Sequence, residues 1–239
     1  MMSHCAGRPA ELEWVRRSQW SFHEPAVLQA WNAACATLEA SGREDGLAAL
    51  LLTGREAAPK SIETGPLLKQ ARWRLPLLVS STGLGDVHAA LAAAMPLIGA
   101  GPGLTPSWDD FLMGYLYGLR TSPSSNVRFA RFIQEFGAAM KAESVRSTAT
   151  SQVWIYRTVD GNDLPWIDAV LEAIGSGSVE LSASQARRTL RVGHTSGTDS
   201  LFGALLGSAL WKVHSYESEL AERLGGLLVN VPKDDGVIT

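Results

Sequence analysis

Cysteine is scarce in this chain of 239 residues, which contains only Cys5 and Cys35. Two cysteines so far apart supply neither a metal-ligand cluster nor a disulfide framework. The first residues also lack the basic and then apolar pattern of a secretory signal. The sequence therefore predicts a protein of the reducing cytoplasm.

A strong net charge and long apolar runs are also missing. Lys and Arg total 21 against 24 Asp and Glu, for a net charge of −3, which gives no global attraction to nucleic acid or an anionic membrane. Glycine, proline or charge interrupts every apolar run before the roughly 20 residues needed to span a bilayer. With 46% hydrophobic residues, the chain can still bury a substantial core. We expect a soluble globular protein that binds neither nucleic acid nor membrane.

Helical periodicity predominates along the chain, which predicts a mainly α fold. Predicted helices cover residues 24–42, 86–98, 106–119, 127–141, 164–174, 182–191 and 200–213. Residues 75–80 are more typical of a strand, residues 46–53 suit either type, and residues 153–156 favour helix over strand. We therefore expect a helical core with a minor β contribution before Ile98.

The domain organisation predicted from composition is simple. One predominant domain covers residues 1–239, within which residues 1–96 form a less well-defined N-terminal part and residues 97–213 a helical region with the most informative motifs. Residues 232–239 predict a flexible tail. Residues 121–126 are the clearest linker, although so short a polar stretch can simply join neighbouring helices.

The most informative motif occupies residues 101–110, which read Gly-Pro-Gly-Leu-Thr-Pro-Ser-Trp-Asp-Asp just before an apolar helix. Glycine lets a backbone approach a ligand closely, Pro106 suits a first helical turn, and the unpaired amides of that turn attract an anion. Asp109 and Asp110 add carboxylates that can act on an N–H group, a proton or a metal ion. The motif predicts a ligand site at a helix start.

A second copy of this motif follows at residues 193–199, which read Gly-His-Thr-Ser-Gly-Thr-Asp before another apolar run. Three positions align without a gap, namely Gly103 with Gly193, Thr105 with Thr195, and Asp109 with Asp199. In each copy two glycines four residues apart then share one helix face. We predict that each helix packs closely against another element, and that the two loops face one cavity. Two capped core helices are the alternative interpretation.

Together the two motifs resemble the signatures of the family that includes the AllH-type subunit of oxamate carbamoyltransferase. The resemblance runs from about Leu97 to about Trp211 and includes residues 146–151. Trp108 stands where a glycine is expected in that family, and Thr198 replaces a bulkier residue. The resemblance implies carbamoyl transfer between oxalurate, phosphate, oxamate and carbamoyl phosphate, in allantoin degradation, within an assembly that contains other subunits.

The candidate catalytic residues are Asp109, Asp110, His194 and Asp199. The candidate substrate-binding residues are Gly101, Gly103, Thr105, Ser107, Arg146, Ser147, Thr148, Thr195, Ser196 and Gly197. Arginine offers a planar donor set for phosphate or carboxylate, whereas helix capping is the other reading of residues 146–151.

A mechanism for carbamoyl transfer assigns roles to these residues. A phosphate oxygen attacks an oriented carbamoyl group while helix amides and Arg146 stabilise developing negative charge. His194 manages a proton, Asp109 orients amide N–H groups and Asp110 holds the loop, although the sequence is equally compatible with exchanging the two aspartate roles.

Two other function classes remain open at this stage. The same loops suit a noncatalytic ligand-binding or regulatory subunit. The three aspartates also resemble a fragment of the magnesium site of helical hydrolases that act on ADP-ribose compounds. No flavin, nicotinamide or haem signature is present, so we expect no cofactor and no bound metal. The expected partners are a small anionic substrate and other protein subunits, or further copies of this chain.

Overall fold

The computed structural model describes residues 20–43, 45–52, 65–121, 127–162 and 164–211. The predicted tail at 232–239 and linker residues 122–126 lie outside these ranges. The helices are α1 Pro25–Ser41, α2 Ala49–Leu52, α3 Pro66–Gly83, α4 Val87–Ala94, α5 Ser107–Leu119, α6 Val127–Glu143, α7 Ala149–Val159, α8 Pro165–Gly175, α9 Val179–Thr189 and α10 Ser196–Leu210. Short 3-10 turns at Met95–Leu97 and Ser144–Arg146 follow α4 and α6.

The predicted mainly α fold is confirmed, and no strand occurs within the described ranges. The strand expected at residues 75–80 is wrong, because these residues lie inside α3. The buried positions Ala71, Leu75, Leu78 and Thr82 recur at helical spacing, so the apolar run is the inward face of a helix. The helix favoured at residues 153–156 is confirmed within α7.

Two predicted helices begin earlier than their apolar patterns indicated. In α9, the Ser178 hydroxyl accepts a hydrogen bond from the Leu181 amide at 3.3 Å, so the helix starts at Val179. α10 starts at Ser196, inside the second motif, and residues 196–199 form its polar first turn. The early start of α10 matters most for function because it makes Asp199 part of the helix.

The centre of the fold is the pair α5 and α10, whose residues are nearly all buried. A Cβ atom added at Gly114 would lie 1.9 Å from the Ser200 carbonyl oxygen, and one at Gly118 would lie 2.2 Å from that of Ala204. Residue numbers rise together on both helices, so the helices run parallel and their N-termini lie at the same end. The predicted close packing of the two glycine-spaced helices is confirmed.

Buried tryptophans attach other helices to this pair. The Trp31 indole on α1 donates to the Leu205 carbonyl and the Ser208 hydroxyl, and the Trp166 indole on α8 donates to the Ser200 hydroxyl. These bonds pair indole N–H groups that would otherwise be buried unsatisfied. α10 is therefore enclosed along its length. Across the described ranges, no helix is both long enough and apolar enough to cross a membrane.

Candidate functional site

The candidate site lies where the first turns of α5 and α10 meet. The hydroxyls of Thr105 and Ser196 are 2.8 Å apart, and those of Ser107 and Thr195 are 3.3 Å apart. These two hydroxyl pairs join residues from both predicted motifs, so the two motifs lie together, whereas the cavity between their loops stays a prediction. Neither motif provides the expected hydroxyl cap for its helix, since Pro106 and Thr195 occupy the N-cap positions without a side-chain cap bond.

Both the backbone conformation and the short distances to neighbouring atoms favour glycine in the two motifs. Gly101 has a φ of 123°, and a Cβ atom there would lie 2.6 Å from the Ser107 amide nitrogen. Gly197 lies against the end of α9, where a Cβ atom would approach the Thr189 carbonyl oxygen to 1.8 Å. Gly103 is exposed, and the nearest atom to a Cβ there would be the Thr105 carbonyl oxygen at 4.0 Å. The first loop therefore presents backbone to solvent beside the hydroxyl pairs.

Asp109 is fully buried and both of its carboxylate oxygens are occupied. The Gly99 amide donates to Oδ1 at 2.8 Å, the Ser151 hydroxyl donates to Oδ2 at 2.6 Å, and the Ser147 hydroxyl donates to the same oxygen. These three donors come from the segment before the first motif and from the start of α7. Asp109 thus ties α5 to the surrounding chain and holds the first loop in place.

Asp199 occupies the matching position on α10, but its environment differs. The Leu47 amide donates to Oδ1 at 2.7 Å, whereas Oδ2 is buried with no hydrogen-bond partner in the described structure. Burial raises the pKa of Asp199 to about 6, although the nearby hydroxyls of Ser107 and Thr195 oppose that increase. The carboxylate is mostly ionised at neutral pH and has one unpaired oxygen.

Asp110 is buried beneath the hydroxyl pair formed by Thr105 and Ser196, with only 3% of its surface exposed. Burial raises its pKa to about 8, the two hydroxyls lower it, and the charges of Asp199 and Asp109 raise it further. Its Oδ2 atom has no hydrogen-bond partner among the described residues. At neutral pH this carboxyl is mostly protonated, so it can donate a hydrogen bond.

His194 lies at the surface and does not join the buried carboxylates. Its Nε2 atom pairs with Oδ2 of Asp45, and both side chains are more than half exposed. The same segment also reaches Thr198, whose hydroxyl accepts from the Arg43 amide at 3.3 Å. Residues 43 and 45–48 therefore line the second motif, a role that the sequence did not reveal.

Arg146, Ser147 and Thr148 all lie on the Asp109 side of the site. The Arg146 guanidinium donates to the Met95 carbonyl and pairs with Glu143 at 2.9 Å. Thr148 caps α7 by accepting from the Ser151 amide at 3.1 Å, and its hydroxyl donates to the Leu104 carbonyl. The capping interpretation holds for Thr148, and these residues brace the first loop.

The described residues contain no group of three or more His, Cys, Asp or Glu side chains suited to hold a metal ion. The three aspartates of the site differ in hydrogen bonding and in pKa. Asp109 is saturated by donors, Asp110 is mostly neutral at pH 7, and Asp199 retains one unpaired oxygen.

Comparison with known proteins identifies the segment that contains these features. Residues 97–208, slightly under half of the chain, match the family model described as oxamate carbamoyltransferase subunit AllH. No curated protein and no solved structure matches the chain. The matched segment includes both motifs, α5, α7 and most of α10, but not residues 43–48. The match of residues 97–208 supports membership in the family of oxamate carbamoyltransferase subunit AllH.

Proposed function

We propose that this chain is a carbamoyltransferase subunit that binds a small anionic carbamoyl compound at the shared start of α5 and α10. Oxamate, oxalurate and carbamoyl phosphate are the compounds that fit this class. The family description supports the transferase assembly. The observation that supports the location is Asp110, a buried carboxyl with an unpaired oxygen and a pKa of about 8.

Charge and hydrogen bonding both favour an anion beside Asp110. Each helix N-terminus carries a partial positive charge of about half a unit, and here two such ends lie together. A carboxylate at this position would repel an anion, but a protonated Asp110 donates a hydrogen bond to it. The hydroxyls of Thr105 and Ser196 are the closest further donors.

In our proposal, some of the remaining candidate residues contact the ligand and others position the loop around it. Gly101 and Gly103 keep the first loop narrow enough for close backbone approach, whereas Gly197 lets the start of α10 pack against the end of α9. Ser107 and Thr195 supply hydroxyls. Asp109, with Arg146, Ser147 and Thr148, positions the first loop, a role that replaces direct contact with the substrate in our proposal.

The proposed transfer reaction is a phosphorolysis. A phosphate oxygen forms a bond to the carbamoyl carbon of oxalurate, the bond from that carbon to the oxamate nitrogen breaks, and that nitrogen takes up a proton. Helix amides stabilise the negative charge that develops on the carbamoyl oxygen. His194, oriented by Asp45, supplies the proton from the surface edge of the second motif.

A noncatalytic ligand-binding subunit is the second candidate function. The saturation of Asp109 favours it, because a carboxylate that already accepts three hydrogen bonds has little capacity left for chemistry. Both candidates require the anion site, so ligand binding is the property to test first.

Oxamate binding is expected to weaken by about tenfold between pH 7 and pH 9, because Asp110 loses its proton over this interval. Calorimetric titration of the full chain in chelator, at fixed ionic strength, measures this change. Oxamate suits the test because its carboxylate stays ionised throughout. The Asp110→Asn variant keeps a neutral donor and is expected to bind oxamate with no such pH dependence.

The matched control is Asp160→Asn, which makes the same substitution in an exposed ion pair with Lys141. This variant is expected to follow the wild-type pH dependence. The proposed site is rejected by the absence of oxamate binding, or by an affinity that stays constant from pH 7 to pH 9 in the wild-type chain.

A further inference from the structure

The two motifs contain matching carboxylates with different hydrogen-bond partners, and this difference is informative. Asp109 and Asp199 each accept a backbone amide at Oδ1, from Gly99 and Leu47 respectively. At Asp109 the other oxygen also accepts two serine hydroxyls. At Asp199 the corresponding oxygen is buried and has no partner among the described residues.

A buried carboxylate oxygen without a donor is unusual, since most buried polar groups in folded proteins are hydrogen-bonded. The Ala48 amide and the hydroxyls of Ser107 and Thr195 lie near enough to the Asp199 carboxyl to lower its pKa, but none of them makes a hydrogen bond of normal geometry to Oδ2. The two hydroxyls pair with each other. Their separation of 3.3 Å is long for two hydroxyls, which usually lie about 2.7–2.8 Å apart. Of the two hydroxyl pairs that join the motifs, the longer one therefore lies beside the unpaired oxygen.

We propose that Asp199 is the residue that selects the NH2 group of the ligand, whose N–H donates to Oδ2 in the place that serine hydroxyls occupy at Asp109. This inference rests on the proposed function and adds a specificity-determining residue to it. The ligand's anionic end lies against Asp110 and the helix amides, and its amide end lies against Asp199. Oxamate carries both of these ends, a carboxylate and an amide, on two adjacent carbons.

The segment before the family match positions Asp199 for this role. A Cβ atom at Gly46 would lie 2.5 Å from Oδ1 of Asp199, so only glycine allows the Leu47 amide to approach that oxygen. Because Oδ1 is held by the backbone, Oδ2 has a fixed direction. Residues 45–48 thus complete the second half of the site although they lie outside residues 97–208.

The test compares oxamate with pyruvate, which has a methyl group where oxamate has NH2. The wild-type chain is expected to bind oxamate at least about tenfold more tightly, as a hydrogen bond to a charged acceptor implies. In Asp199→Asn, the side-chain amide places a donor opposite the ligand's donor. We expect its oxamate-to-pyruvate preference to fall to about one, with pyruvate affinity close to wild type.

The surface variant Asp160→Asn serves as the control and is expected to retain the full preference. Equal affinity for oxamate and pyruvate in the wild-type chain overturns the role of Asp199 while leaving the anion site intact. A full preference in folded Asp199→Asn overturns it as well. If the wild-type chain binds neither compound, the proposed function itself is rejected and the inference falls with it. The comparison of oxamate with pyruvate on the wild-type chain can overturn the role of Asp199 even if Asp199→Asn does not fold.

Discussion

Replacing Gly114 or Gly203 with alanine is expected to lower the melting temperature by about 10 °C or more, or to prevent folding. The added Cβ atoms would lie 1.9 Å from the Ser200 carbonyl oxygen and 2.0 Å from that of Phe111. Both obstacles are backbone atoms of the facing helix, so they cannot rotate away and the helices must separate. Thermal unfolding followed by circular dichroism measures the loss.

The sign of this effect is diagnostic, because alanine is favoured over glycine in a helix interior by about 1 kcal/mol when nothing obstructs it. Gly65→Ala is the matched control, since a Cβ atom there meets no atom within 4 Å and the backbone φ is −68°. We expect this variant to melt close to wild type. Gly114→Ala melting like Gly65→Ala would contradict the close parallel pairing of α5 and α10.

Asp110→Asn is expected to stabilise the protein at pH 8.5 and to have little effect near pH 4. The folded chain holds the Asp110 pKa at about 8, against 3.8 for the unfolded group. Between these values the folded state retains a proton that the unfolded state has released, so the free energy of unfolding falls as pH rises. Above about pH 8 both states are ionised and this contribution stops changing.

The difference in unfolding free energy between Asp110→Asn and wild type isolates this group from the other titrating residues. It is expected to grow by several kcal/mol from pH 4 to pH 8.5, since each unit of pKa shift corresponds to about 1.4 kcal/mol. Urea unfolding at a series of pH values measures it. A difference that does not change with pH would show that Asp110 is ionised in the folded protein at neutral pH.

The close packing of α5 and of α10 was predictable because its signals are local. Glycines four residues apart mark a helix face, and two matched copies indicate that the faces meet. The strand expected at residues 75–80 fails for a related reason. A short apolar run has the same composition whether it is a buried strand or the inner face of a helix, and only its wider spacing distinguishes them.

The partners of the aspartates were not predictable from the sequence. Leu47 lies far from Asp199 along the chain, and its contribution is a backbone amide, which leaves no signature in side-chain chemistry. Asp109 and Asp199 look alike in the two motifs. Only the placement of Ser147 and Ser151 separates a saturated carboxylate from one with an unpaired oxygen. Sequence therefore locates the candidate site, and tertiary packing assigns the individual roles.

The most direct test of the account is phosphate-dependent cleavage of oxalurate by the full-length chain together with the subunits that copurify with it. Carbamoyl phosphate and oxamate are the products to follow. The account predicts that both form with the wild-type chain, and that formation is lost with a folded Asp110→Ala variant, which lacks the buried carboxyl donor. Product formation at the wild-type rate with that variant, or with the chain omitted, would contradict the assignment of the ligand site to the shared start of α5 and α10.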